Sequence, residues 1–200
     1  MSAEMMPLFW RIAGQESDNN GLEAVSLLMP ANAGESPAEF PTEVRFKSDR
    51  ELKAPVDLRW SDEDSDLFMN LLDRVVEVDQ SEDITLDIND GVVQGIVQLV
   101  ALARFKAPKR FEDYLGADLN IYREETEIGD LVSLHTQYGF ILAIVIAMDS
   151  IDATCVLLEP LVNEMGHTVC AENTLCAVER VSLLPGHFAD SDLGQDEVRH

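Results

Sequence analysis

Cys155, His167, Cys170 and Cys176 carry the only side chains in the chain whose types and spacing approach a metal site. A zinc centre draws four soft or borderline ligands into a tetrahedron, commonly as close pairs. His167-x2-Cys170 is one such pair, and Cys155 and Cys176 do not make a second. Cys170 and Cys176 also sit in apolar runs, where a thiol packs as a small hydrophobe. A cysteine nucleophile needs its pKa lowered by an imidazole or a helix N-terminus. Cys155 in ATCVLLEP and Cys176 in TLCAVER have no glycine elbow, and sequence alone brings neither His135 nor His167 to them. The reading is no metal, no cofactor and no catalytic residue. A thiol- or metal-dependent enzyme is the least favoured of the classes considered.

Other chemistries find less. Glycosidase catalysis wants two carboxyl groups about 5 to 10 Å apart in a cleft, but 38 acids make some close pair inevitable in any fold. Neither a Walker loop nor a strand-borne G-x-G-x-x-G is present. The nearest glycine-spaced helix start is NDGVVQG, where Asp90 would repel a phosphate and reads as an N-cap.

The acids themselves are the outstanding feature. Against 14 bases they leave a net charge of −24, which repels DNA, RNA and anionic membrane and attracts basic surfaces. Their densest block is Asp62, Glu63, Asp64, Asp66, Asp73, Glu77, Asp79, Glu82, Asp83, Asp87 and Asp90, with Arg74 its single base. The first nine of these are the candidate partner-binding residues. The plainer account is a solvated helix face whose acids complement the helix dipole. Arg104, Lys106, Lys109 and Arg110 form a small basic patch that could pair with the acids or serve self-association. It lacks the aromatic platform that RNA binding uses.

These residues need elements to hold them. Aromatic content of 6% implies a core built mainly of Val, Leu, Ile and Met. Pro7–Ala13, Glu23–Met29, Thr42–Lys47 and Val56–Trp60 read as strands, with the proline-rich stretch Pro30–Pro41 as a loop. Ser61 followed by three acids reads as an N-cap, and Leu67, Phe68, Leu71, Leu72, Val75 and Val76 fall on one helical stripe. Ile84–Ile88 is a short β-like run. Asp90–Phe105 predicts a second helix, apolar nearly all round, and Arg110–Glu125 a helical turn near Gly116 plus a connector.

Beyond the EETEIGD segment the pattern changes to short β-like runs: Leu131–Leu134, Phe140–Met148, Ala153–Leu158, Thr168–Glu172 and Leu175–Leu183. Gly129–Asp130–Leu131–Val132 and Val181–Ser182–Leu183–Leu184–Pro185 bracket them, and in that layout the segment resembles an SH3-like barrel. The expectation is an α+β chain. Residues 1–125 form strands packed with two helices, 126–188 a small antiparallel SH3-like β-barrel module, and 189–200 a flexible acidic tail. An odd number of cysteines and no basic n-region before an apolar segment point to a cytoplasmic protein with reduced thiols. The longest apolar run, Phe140–Met148, falls short of the roughly 20 residues that cross a bilayer. Function reads as a non-enzymatic regulatory module docking a basic protein surface. The alternative is an assembly subunit that forms homo-oligomers.

Overall fold

A computed structural model describes residues 7–14, 21–30, 37–47, 52, 54–79, 88–117, 119 and 125–190. It is a mixed α and β chain that divides into two compact units, Met1–Leu72 with Gln80–Lys106, and Asp73–Asp79 with Ala107–His200. Among the described residues no helix is long and apolar enough to cross a membrane.

The first unit holds β1 (Phe9–Ile12), β2 (Leu22–Met29), β3 (Ala38–Lys47) and β4 (Val56–Arg59), in the antiparallel order β3-β2-β1-β4. Trp10 pairs with Leu27 and Ile12 with Val25, and all four are buried. Helix α1 (Asp62–Asp79) follows β4 directly. Of its predicted stripe, Leu71 and Leu72 are buried, while Leu67, Phe68, Val75 and Val76 are partly buried. Helix α2 (Gly91–Phe105) begins where expected, the Asp90 side chain accepting the Val92 N–H. It buries Val93, Ile96, Val97 and Val100 and lies against β3, where Gln98 Oε1 accepts the Glu43 N–H at 3.0 Å. Residues 84–87 of the β-like run Ile84–Ile88 lie outside the described residues, and Ile88 is in a turn.

β3 starts earlier than its alternation predicts. Ala38–Pro41, read as the end of a loop, pairs with Ser26–Met29. Pro41 is admitted because β3 is an edge strand, where a missing N–H breaks no inner ladder. The register slips between Ala24 and Ser26, and Thr42 Oγ1 donates to Val25 O there.

The second unit holds β5 (Lys109–Arg110), β6 (Leu131–Thr136), β7 (Gly139–Met148), β8 (Asp152–Leu157), β9 (Leu161–Val162), β10 (Thr168–Cys170), β11 (Leu175–Glu179), β12 (Leu183–Pro185) and the single turn α3 (His187–Asp190). Six of these strands form one sheet in the order β12-β6-β7-β8-β11-β5, while β9 and β10 pair separately. Alternate residues Ile141, Ala143 and Val145 on β7 join Val132, Leu134, Cys155, Leu157 and Phe111 in one buried core. Among the described residues no ladder joins β12 to β5, so the sheet is open rather than closed into a barrel. The parallel strand β5 occupies the free edge of β11.

Three segments differ from the sequence reading. The run Leu175–Leu183 is broken by a 3-10 turn at Arg180–Ser182, which separates β11 from β12. The helical turn expected near Gly116 lies earlier, at Glu112–Tyr114. Within the separator EPLVNEMG, Leu161–Val162 is a strand. Residues 191–200 of the tail are outside the described set, and His187–Asp190 is a helical turn.

On the outer side of the first sheet, Arg11 grips Asp57 across the β1–β4 pair through Nε–Oδ1 at 2.8 Å and Nη2–Oδ2 at 2.9 Å. Hydrogen bonding from Arg11 holds the Asp57 carboxyl below its ordinary value of 3.8. A carboxyl depressed in the folded state adds stability above its ordinary pKa and loses it as the pH falls through the depressed value. Both side chains remain about one-third exposed, so solvent screening limits the pair to about 0.5 to 1 kcal/mol. Asp57→Asn should therefore lower urea stability by that amount at neutral pH. The difference from the parent protein should vanish well below pH 3.8.

Candidate functional site

The first two turns of α1 sort their acids into one that is buried and three that are not. Ser61 Oγ accepts the Asp64 N–H at 3.2 Å, and Asp64 Oδ2 accepts the Ser61 N–H at 2.9 Å. This reciprocal capping box satisfies donors that a helix start leaves open. The same Oδ2 accepts the indole Nε1–H of Trp10 at 3.1 Å, and Asp64 is 5% exposed. Trp60 Nε1 donates to Ser65 Oγ, which donates to Ser61 O. The two indoles stack at 4.9 Å, with Phe105 edge-on to Trp10 and Phe68 edge-on to Trp60. Asp64 thus faces the interior and is withdrawn from any partner.

Asp62, Glu63 and Asp66 are exposed. The Glu63 carboxyl is held below its usual range, first by its own backbone N–H and then by the Ser61 hydroxyl. Asp62 and Asp66 stand one helical turn apart and so project the same way. Among the described residues, none of these three is in an ion pair.

The end of α1, in the second unit, exposes Asp73 and Glu77, again one turn apart. Arg74 is the one base of the helix, and it is occupied. Its Nη1 meets Glu77 Oε2 at 2.8 Å, and its Nε donates to Asp130 Oδ1 at 2.7 Å. Hydrogen bonds to Glu77 and then Asp130 raise the guanidinium pKa above its ordinary value. Asp73 remains without an ion pair among the described residues. Asp130, read from sequence only as the opening of the module's first strand, is the residue that absorbs Arg74. Asp79 ends the helix, while Glu82 and Asp83 lie outside the described residues.

The sulfur chemistry considered above finds no support in the packing. Cys155 and Cys176 are fully buried and directly opposed on β8 and β11, where Cys176 Sγ donates to Cys155 O at 3.4 Å. Interaction with Cys155, then burial, pushes the Cys176 pKa up, and burial does the same for Cys170. A raised pKa suppresses the thiolate that would act as nucleophile or ligand. His167 is exposed in the β9–β10 hairpin, its N–H bound by Asn163 Oδ1. Among the described residues no three His, Cys, Asp or Glu side chains gather to hold a metal ion.

No protein-family model matches the chain, and no curated protein matches it. Function is accordingly inferred from the placement of charge and from the chemistry of the clefts.

Two outcomes are expected. Asp64→Ala leaves the Trp10 indole and Ser61 N–H unpaired, and should cost about 2 to 4 kcal/mol in urea unfolding. Asp66→Ala, two residues on and exposed, should change it by less than about 0.5 kcal/mol. In the native protein all three thiols should react slowly with an aromatic disulfide reagent, at a rate set by unfolding. One fast thiol would reinstate cysteine chemistry.

Proposed function

We propose that the protein is a non-enzymatic, regulatory docking module that binds a basic protein surface through the exposed acids of α1. The observation that carries this reading is the state of those acids. Asp62, Glu63, Asp66 and Asp73 are exposed and in no ion pair among the described residues, and the helix's one base is spent on Glu77 and Asp130. Free surface carboxylates of one sign accelerate encounter with a cationic partner and select against anionic ones. The same charge disfavours nucleic acid as a ligand of this face.

The module that follows is read as SH3-like. Support comes from its strand order, in which the last strand β12 pairs with the first, β6, while β6, β7, β8 and β11 run as a meander. A 3-10 turn separates its last two strands. Free, buried thiols suit a reducing compartment, and we place the protein in the cytoplasm.

Titration calorimetry with an arginine-rich peptide tests the docking. Affinity should fall steeply as salt is raised, since the Debye length shrinks from about 10 Å at 0.1 M to about 3 Å at 1 M. Replacing Asp62, Asp66, Asp73 and Glu77 together by lysine should remove at least about tenfold of the affinity, near 1.4 kcal/mol. Binding that is flat with salt and indifferent to this charge reversal would refute the reading.

A further inference from the structure

A cleft of about 220 Å³ opens in the second unit between Leu115–Ala117, β6 and the 3-10 turn at Arg180–Ser182. Its polar lining is His135 on β6, Glu179 at the end of β11 and Ser182 in the 3-10 turn; Leu115, Val181 and Leu184 supply apolar walls. The acidic docking reading does not use it.

The imidazole is set in a defined state. His135 Nδ1 lies 2.9 Å from the Ala117 carbonyl oxygen, which can only accept, so Nδ1 carries the proton. In the neutral ring Nε2 is then an acceptor. The ring is held on two sides. Phe140 packs at 5.1 Å between centroids, and Gly116 approaches so closely that a Cβ there would sit 2.7 Å from His135 Cε1. Glycine is required at 116 for this contact rather than for a turn.

Among the described residues, His135 Nε2, the Glu179 carboxylate and the Ser182 hydroxyl make no side-chain hydrogen bond or ion pair. Neighbouring Arg180, which could have neutralised Glu179, directs Nη1 to the Asp149 carbonyl oxygen at 3.2 Å. Among the described residues, the cleft is thus lined by an imidazole, a carboxylate and a hydroxyl, with no Lys or Arg.

We propose that this cleft receives an arginine side chain of the basic partner, an inference that rests on the docking reading above. A guanidinium presents five N–H donors spread over a plane, so it can reach acceptors on β6, β11 and the 3-10 turn together. Its methylene stem lies along Leu115, Val181 and Leu184, as long cationic side chains do on apolar surface. The volume is smaller than the roughly 300 to 1,000 Å³ of sites for drug-sized ligands, and it suits one side chain.

Nuclear magnetic resonance of the 200-residue chain tests the assignment. The probe is a capped glycine-flanked arginine peptide, and its neutral control carries citrulline in place of arginine. The arginine peptide should shift the His135 ring nitrogens and the amides of Gly116 and Val181, and the citrulline peptide should not. Glu179→Gln, an exposed change that leaves the fold intact by circular dichroism, should weaken the arginine peptide about tenfold. Equal shifts from citrulline, or equal binding of a lysine peptide, would overturn the guanidinium assignment. Shifts confined to the amides around Asp62 and Asp66 would overturn the cleft while leaving acidic docking in place. No shifts anywhere would remove both.

Discussion

The hydrogen bond from Trp10 Nε1 to Asp64 is the contact on which the placement of charge in the first unit depends. A fully buried indole has one donor and must find an acceptor for it. β1 is an inner strand, so Trp10 sits under the sheet's middle, and Asp64 reaches it from the first turn of α1. The same carboxylate oxygen closes the capping box on Ser61, so satisfying the indole and starting the helix are one event. This sets the rotation of α1 about its own axis. With Asp64 and Leu71 turned inward, helical geometry leaves Asp62 and Asp66 no direction but outward. A residue buried for structural reasons thus decides which of its neighbours can meet a partner.

The second unit solves a different problem. β5 is only two residues long, yet it covers the edge of β11 and introduces Phe111 into the core. The three thiols are part of that core, and burial there helps to raise the pKa values of Cys170 and Cys176. Polar groups that have no side-chain partner among the described residues lie instead around His135, where the ring is held by a carbonyl, an aromatic ring and a glycine. An imidazole held on so many sides contributes little flexibility and a defined acceptor, which is what recognition of a donor-rich cation requires.

Much of the architecture was legible in the residues, for reasons that differ between elements. The stripe from Leu67 to Val76 and the cap at Ser61 signal a helix through local chemistry alone, as does Asp90 for α2. The alternating runs of the second unit likewise declare themselves as strands. What stayed hidden depends on partners far away in sequence. Ala38–Pro41 is a strand only because an edge position forgives proline, and Lys109–Arg110 only because β11 offers an edge. Of the candidate site, the outward placement of Asp62, Glu63, Asp66, Asp73 and Glu77 follows from the helical repeat. The burial of Asp64 does not, since nothing local distinguishes it from its neighbours; its partner Trp10 lies 54 residues away. The low aromatic content did foretell a buried core made mainly of Val, Leu and Ile. It gave no sign that both tryptophans would join Phe46, Phe68 and Phe105 in one cluster.

The excess of 24 negative charges sets a further condition on how such a molecule can be both stable and sociable. Self-repulsion among carboxylates disfavours the compact state, so acids are best placed where local positive potential offsets them. The N-terminus of α1 is such a place, because its open N–H groups and dipole favour anions. Glu63 shows the effect directly, its carboxyl lowered by a backbone N–H. Glu77 lies in the last turn, where the dipole is negative and no base is present, and Asp73 lies one turn before it. Arg74 relieves Glu77 by bridging it to Asp130, but it leaves Asp73 unrelieved. Acids at a helix C-terminus without counter-charge are costly to the isolated chain, and a cation supplied from outside would remove that cost. The arrangement therefore ties the electrostatic weakness of the free protein to the chemistry of what it would bind.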